Sequence, residues 1–144
     1  MTVRVERTFE LAAPPERVWD IIADPDNRAE AISVVNDWEI HDDQRATWYL
    51  DLPIPFVSQT VSIETQDVER EHNQRVKFVG RSAVMRVTGE HELRPLDGGD
   101  RTELINRFVV EGRVPGVERF FKRRLDTELE NLQAMVERKL STEA

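Results

Sequence analysis

The sequence predicts an α+β domain in which one curved antiparallel sheet of about seven strands packs against a long C-terminal helix, in the order β-α-α-β(6)-α. Apolar residues alternate with polar ones near the N terminus and again from Val34 to Gly112, which is the period of half-buried strands. Only short turns separate these segments, and short turns favour antiparallel pairing. After Gly116 the apolar spacing changes to steps of three and four up to about Leu140, which predicts one amphipathic helix.

Length and charge exclude several classes of protein. A chain of 144 residues predicts one domain, residues 1–144, that buries about two thirds of its unfolded surface. The net charge of −8 disfavours nucleic acid as a partner, because phosphates would be repelled. The only basic run, 122–124, lies among acidic residues and is interpreted as a solvated helix face. Arginine far outnumbers lysine, which suits either a high-salt cytoplasm or GC-rich coding.

The residue content also bears on location. The absence of cysteine excludes a disulfide scaffold, a thiolate metal site and a cysteine nucleophile. No apolar run of about 18 residues and no signal-peptide pattern are present, so we expect a cytoplasmic protein that does not insert stably into membranes.

The first strand leads into a short helix. The apolar face of that strand consists of Val3, Val5, Phe9 and Leu11. Pro14 and Pro15 fix the backbone before the helix, and Asp24-Pro25 ends it, leaving Val18, Trp19, Ile21 and Ile22 as its apolar face. A second short helix is expected from about Asp26 to Ile32.

The middle of the chain divides into six further strands. Pro53 and Pro55 interrupt pairing, and Asp97-Gly98-Gly99-Asp100 predicts a hairpin. The expected one-face sets are Val34, Asn36, Trp38 and Ile40; Ala46, Trp48, Leu50 and Leu52; Val57, Gln59, Val61 and Ile63; alternate residues of 75–80; Met85, Val87, Gly89, His91 and Leu93; and Leu104, Asn106, Phe108 and Val110. The stripe of the last helix comprises Val117, Phe121, Leu125, Leu129, Leu132, Val136 and Leu140.

This order of elements resembles a known superfamily. A strand ending in "APPERVWDIIADP", a "DGGDRTEL" hairpin and the closing "VPGVERFFKRRLDTELENLQAMVERKL" are similar to START-like or Bet v 1-like (SRPBCC) helix-grip proteins. The nearest groups are the polyketide cyclase/dehydrase-like and coenzyme-Q-binding-type members. The resemblance implies that the sheet wraps around the long helix and that a cavity lies between them, closed at one end by the two short helices. It leaves the activity open, because one fold hosts many functions.

Four polar residues fall where the strand alternation predicts an apolar side chain. They are Asn36, Gln59, His91 and Asn106. Burying an unpaired amide or imidazole costs on the order of 1–3 kcal/mol, so each needs protein, water or ligand as a partner. His91 could be a structural hydrogen-bonding residue, a ligand contact or a general base. Gln59 and Asn106 could be cavity anchors or structural residues, and Asn36 suits a turn or capping role.

Large apolar residues share those inward faces. Trp38, Trp48, Phe78, Met85 and Phe108 come from the strands, and Phe121 and Leu125 face them from the helix. Packing and lining a cavity involve the same surfaces, so these residues are expected to do both. The expectation depends on a hollow that side chains do not fill. By the same alternation, Arg86, Glu90, Glu92 and Arg107 point outward.

The leading hypothesis is a protein that binds a hydrophobic or aromatic small molecule, such as a lipid, quinone or polyketide-like compound. The first alternative is a polyketide cyclase/dehydrase-like enzyme using His91, with Asn106 or Gln59 orienting it. The second is an interaction module of an electron-transfer or ribosome-associated system, docking through Pro53–Val57 or an exposed edge strand; the loop 51–56 could also gate the cavity. No cofactor is implied. His41 and His72 with Asp42, Asp43 and Glu71 match no metal-ligand spacing. We expect a monomer or weak homodimer.

Overall fold

The computed structural model describes residues 2–55, 57 and 59–142. Its helices and strands follow the predicted order: β1 Thr2–Leu11, α1 Pro15–Ile22, α2 Pro25–Ala31, β2 Val35–Asp42, β3 Arg45–Leu50, β4 Val61–Glu71, β5 Arg75–Arg81, β6 Met85–Leu96, β7 Arg101–Gly112 and α3 Val117–Thr142. The strands form one antiparallel sheet in the order β1-β7-β6-β5-β4-β3-β2. The α+β helix-grip prediction is confirmed.

The sheet is built from sequential hairpins, with β1 returning to pair with β7. The β6–β7 hairpin turns at Asp97–Gly99, where Asp97 and both glycines have positive φ, as the Asp-Gly-Gly sequence predicts. Its register places His91 opposite Asn106 and Gly89 opposite Phe108. These two pairs form part of the interior wall.

Helix α3 buries the predicted stripe. Val117, Phe121, Leu125, Leu129, Leu132 and Val136 are buried, and Leu140 is half-buried against the same core. The helix contacts β1, β7, α1 and α2. One change to the prediction concerns Glu128, which lies on the buried face of the helix. No helix in the described part of the chain is both long enough and apolar enough to cross a membrane.

The two short helices close one end of the interior. All four predicted apolar residues of α1 are buried, and Arg17 donates through Nη2 to the Leu140 carbonyl at 2.8 Å, which ties α1 to the end of α3. In α2 the Asp24 side chain caps the helix by accepting from the Asp26 amide. Arg28 and Ala31 of α2 face inward.

The sheet departs from prediction at one edge. Strand β4 begins at Val61, so Gln59 lies in the preceding loop and not on the strand face. Strand β2 is an irregular edge strand with register shifts on either side of Asp37–Ile40. Asn36 is therefore exposed, and its amide donates to Asp51. The inward placement expected for these two residues was wrong, because a two-residue alternation cannot locate strand ends or bulges.

The loop after β3 packs inward over part of its length. Leu52 is buried and Ile54 is half-buried against the core. Phe56 was expected beside them, and it lies outside the described residues. Leu52 and Ile54 therefore serve the core of this chain.

Candidate functional site

A small cavity lies between the sheet and α3. Its volume is about 40 Å³. Its lining comes from α2, the α2–β2 turn, five strands and α3, and comprises Arg28, Ala31, Ile32, Val34, Trp48, Leu50, Ile63, Phe78, Met85, Val87, His91, Phe108, Val110, Phe121, Leu125, Glu128, Leu129 and Leu132. All but Arg28, His91 and Glu128 are apolar or nearly so.

The hollow is smaller than the sequence led us to expect. A dry protein cavity of about 150 Å³ holds benzene, whereas 40 Å³ suits about one to a few water molecules. Trp48, Phe78, Met85 and Phe121 occupy much of the interior. The expectation of a ligand-sized hollow is thus met only in part, and any ring compound would have to displace side chains.

His91 is held by Asn106 on the neighbouring strand. His91 Nδ1 lies 2.7 Å from Asn106 Oδ1. The Asn106 amide nitrogen donates to the carbonyls of Arg7 and Leu104, at 3.2 and 3.4 Å, which fixes the orientation of the amide. A carbonyl oxygen only accepts, so Nδ1 carries the hydrogen and Nε2 keeps its lone pair. Nε2 has no hydrogen-bond partner among the described residues.

The imidazole is neutral at physiological pH. Burial lowers the pKa of His91 to about 3, since the charged form would be desolvated, and the nearby Arg28 charge acts in the same direction. The hydrogen bond that His91 donates to Asn106 opposes this shift in pKa and does not cancel it. His91, a residue of the cavity lining, therefore keeps an acceptor nitrogen that stays unprotonated.

Arg28 forms a buried ion pair above the same cavity. Its Nη2 donates to Asp67 Oδ1 at 2.7 Å, and the two side chains are 5% and 2% exposed. Arg70 donates to the second oxygen of Asp67, also at 2.7 Å. A register shift in β4 after Asp67 accompanies this arrangement. Burial lowers the pKa of Arg28, and the Asp67 carboxylate counteracts that shift.

The Phe78 ring lies next to Arg28, Trp48 and His91. The Arg28 guanidinium carbon lies 5.1 Å from the centre of its ring. The Trp48 ring meets it edge-on at 5.5 Å, and the His91 ring stacks at 6.4 Å. Gly89 lies opposite Phe78 on one side and Phe108 on the other, and a Cβ there would collide with the Phe78 ring. Glycine at this position lets the two phenyl rings approach each other.

Glu128 is the third polar residue of the lining, and its carboxylate is occupied. It accepts from the backbone amide and hydroxyl of Ser33 at 2.7 and 2.5 Å, and from the Asn131 side chain. These bonds join α3 to the turn between α2 and β2. We therefore interpret the Glu128 carboxylate as a structural group that holds the turn against α3.

The ten residues proposed from sequence separate into three groups. Seven line the cavity, namely Trp48, Phe78, Met85, His91, Phe108, Phe121 and Leu125. Asn106 is buried behind His91 as its hydrogen-bond partner. Trp38 and Gln59 lie elsewhere: the Trp38 indole donates to Asp26, and Gln59 borders a surface groove at the start of β4.

Sequence reasoning missed Arg28, Asp67 and Glu128, because charged residues are seldom buried. Two signals were available. Asp67 continues the inward alternation of Val61, Ile63 and Thr65, and an inward carboxylate demands a cation. Glu128 lies three residues after Leu125 and four before Leu132, on the apolar stripe of α3.

The turn histidines have other contacts. His41 Nε2 lies 2.7 Å from the Thr47 hydroxyl, and His72 meets the Trp19 ring edge-on. Within residues 2–55, 57 and 59–142, no group of three or more His, Asp or Glu side chains could hold a metal ion.

A seven-stranded antiparallel sheet holding a long C-terminal helix over an apolar cavity defines a START-like helix-grip protein. Within this class, the chain belongs to the family described as polyketide cyclase/dehydrase and lipid transport, whose sequence model matches residues 2–137. A sequence comparison with curated proteins found no significant match.

Solved structures share the fold across nearly the whole chain. A START superfamily protein from Mycobacterium smegmatis superposes with a TM-score of 0.76 at 17% identity, covering 98% of this chain and 99% of the other. The Zhui aromatase/cyclase from a Streptomyces species gives 0.72 at 18% identity, covering 97% and 96%. TTHA0849 from Thermus thermophilus gives 0.70 at 20% identity and covers both chains fully, 100% and 100%. At these identities the likeness concerns the fold.

Proposed function

We propose that this protein binds a hydrophobic or aromatic small molecule, such as a lipid, quinone or polyketide-like compound, between the sheet and α3. The observation that carries the proposal is the cavity itself, which is lined mainly by apolar side chains from both the sheet and the helix. Ligand sites are typically concave and apolar with a few polar groups that fix orientation. The family description, which names lipid transport beside cyclisation, supports the same class of ligand.

Binding must be coupled to movement of side chains. At about 40 Å³ the cavity is too small for a ring compound. Met85, on the sheet wall, is the side chain that we expect to move. Methionine adapts to irregular spaces because it is unbranched and has three rotatable bonds.

Native mass spectrometry with a panel of lipids, quinones and aromatic compounds tests the proposal. The matched variants are Ala31→Leu, which adds volume at the cavity wall, and Ala134→Leu, which adds the same volume on the exposed face of α3. We expect binding to be lost in Ala31→Leu and kept in Ala134→Leu. Absence of binding by every compound, with a filled interior in a crystal structure, would contradict the proposal.

A polyketide cyclase/dehydrase-like activity is the second candidate, favoured by the free lone pair on His91 Nε2. The low pKa of His91 makes it a weak base, and general-base catalysis works best with a pKa near the operating pH. Binding is therefore the better supported function. If the protein turned over a poly-β-keto substrate and His91→Ala abolished the turnover, catalysis would become the better supported function. Turnover that is unchanged in His91→Ala would exclude His91 as the general base.

A further inference from the structure

Three buried polar atoms, on residues that line the cavity, have no hydrogen-bond partner in the described part of the chain. They are Nη1 of Arg28, Nε1 of Trp48 and Nε2 of His91. Their residues are 4%, 4% and 1% exposed, and all three line the same cavity. An unpaired buried polar group costs about 1–3 kcal/mol, so three at one place indicate a site completed by something other than this chain.

Each atom demands a particular chemical group. Trp48 Nε1 and Arg28 Nη1 can only donate hydrogen bonds. His91 Nε2 can only accept, because the orientation of Asn106 places the imidazole hydrogen on Nδ1. A complementary ligand therefore carries one hydroxyl or N–H donor and acceptor oxygens for two donors.

The guanidinium of Arg28 favours an anionic acceptor. Arg28 binds Asp67 through Nη2, whereas Nη1 of the same charged group has no partner among the described residues. The lining carboxylate of Glu128 is turned to Ser33 and Asn131. A carboxylate offers two oxygens, one for each of the two donors, and forms stronger hydrogen bonds with a guanidinium than a neutral carbonyl does.

The apolar part of the ligand follows from the surrounding rings. The rings of Trp48 and His91 and the guanidinium of Arg28 all lie against Phe78. Phe108 meets the Phe78 ring edge-on at 6.3 Å. Aromatic pairs prefer such offset or edge-to-face arrangements, so a flat ring fits this wall. Because side chains must move to admit even one ring, the cavity favours one ring over several.

We propose, resting on the small-molecule binding proposed above, that the ligand is a small aromatic hydroxy acid. Its carboxylate accepts hydrogen bonds from Arg28 Nη1 and Trp48 Nε1, and its hydroxyl donates to His91 Nε2. Arg28, Trp48 and His91 are thus the residues that determine specificity. The neutral imidazole suits this role because it stays an acceptor over the whole physiological pH range.

Isothermal titration and ligand-observed NMR with single-ring probes test the assignment. The probes are the three hydroxybenzoates, the matching methoxybenzoates, benzoate, phenol and toluene. We expect one hydroxybenzoate isomer to bind at least about tenfold more tightly than its methoxy analogue, because methylation leaves Nε2 without a donor. We expect this isomer also to bind more tightly than benzoate, phenol and toluene.

A variant and a spectroscopic signal separate recognition from folding. Trp48→Phe removes the indole N–H and keeps a ring, so it should weaken hydroxybenzoate binding about tenfold relative to toluene binding measured on the same variant. The ¹⁵N resonance of His91 Nε2 should shift with the hydroxybenzoate and not with its methoxy analogue. Circular dichroism of Trp48→Phe checks that the fold is kept.

Two results would overturn the inference in distinguishable ways. Toluene or a methoxybenzoate binding as tightly as the best hydroxybenzoate would overturn the hydroxy-acid assignment alone. Failure of every probe, together with failure of the lipid and quinone panel, would overturn small-molecule binding itself. A crystal structure with saturating hydroxybenzoate that shows only water bridging Arg28, Trp48 and His91 would also overturn the assignment.

Discussion

Two neighbouring cross-strand pairs on β6 and β7 differ by one position in register and lie on opposite faces of the sheet. His91 faces Asn106 in the interior, and Glu90 faces Arg107 on the outside. On the outside, Arg107 binds Glu6 at 2.6 Å, Glu90 at 2.8 Å and Glu92 at 3.0 Å, and every partner is at least partly exposed. In the interior, His91 has one partner and one unpaired nitrogen.

The comparison shows that the number of polar contacts does not measure their energetic weight. The outer network is larger, and its hydrogen bonds raise the pKa of Arg107 and lower that of Glu92. Water and salt nevertheless screen exposed pairs, which usually contribute about 0–1 kcal/mol. The inner groups interact in a medium of low dielectric constant, where each missing or broken bond is costly. The interior is also where this chain has polar capacity left for a ligand.

The largest expected effect is at the buried ion pair. Asp67→Ala leaves Arg28 without its counter-charge at a site from which water is excluded, so we expect a loss of about 3–5 kcal/mol in the free energy of unfolding. Urea unfolding measures this loss, with the outer-face variant Glu6→Ala as the control, expected to lose less than about 1 kcal/mol. Equal losses in the two variants would remove the distinction between the faces.

The next effect concerns pH. The pKa of His91 falls from 6.5 in the unfolded chain to about 3 in the folded one, so below pH 6.5 the unfolded state binds more protons. The stability from the neutral imidazole is fully present above pH 6.5 and is lost as the pH falls, by about 1.4 kcal/mol per pH unit. Between pH 6.5 and 5 the loss should approach about 2 kcal/mol.

Urea unfolding across this pH range tests the pH effect. His91→Gln should remove the His91 part of the slope, whereas His41→Gln should keep it because His91 is intact. A slope that is unchanged in His91→Gln would contradict the burial of a neutral imidazole.

A smaller effect is expected for the residue behind His91. Asn106→Leu removes the acceptor of the Nδ1 hydrogen and leaves it unpaired in the interior, which should cost about 1–3 kcal/mol. It should also remove the preference for the Nδ1–H tautomer, so the ¹⁵N shifts of His91 should change toward those of a mixture of the two tautomers. An Nδ1–H pattern that persists in the variant would mean that another group fixes the ring.

The smallest effect belongs to the outer network. Arg107→Ala breaks ion pairs with three carboxylates, yet we expect a loss of about 1 kcal/mol or less that shrinks as salt is added. Thermal unfolding at low and high salt measures it. A loss above that of Asn106→Leu at high salt would invert the proposed ranking of the two faces.

The sequence was sufficient for the fold and for much of the cavity wall. Alternation placed Met85, His91 and Phe108 on inward faces correctly, because a side-chain period of two leaves no freedom once one face is buried. It failed for Gln59, since a loop residue has no face. Trp38 pairs with the inward-facing Trp48 and packs against the core, but it lies outside the cavity lining. Seven of the ten proposed residues line the cavity; that they bind a ligand remains a prediction.

The sequence by itself determined the order of the elements, the stripe of α3 and the inward direction of His91, because these follow from local periodicity. Only the tertiary structure decided that Arg28 meets Asp67, 39 residues away, and that Arg28, Trp48 and His91 converge around Phe78. It also decided how little space is left between them. The physical reason is that periodicity fixes which face of its own element a side chain occupies, whereas contacts between elements depend on bulges, helix ends and the packing of the whole core.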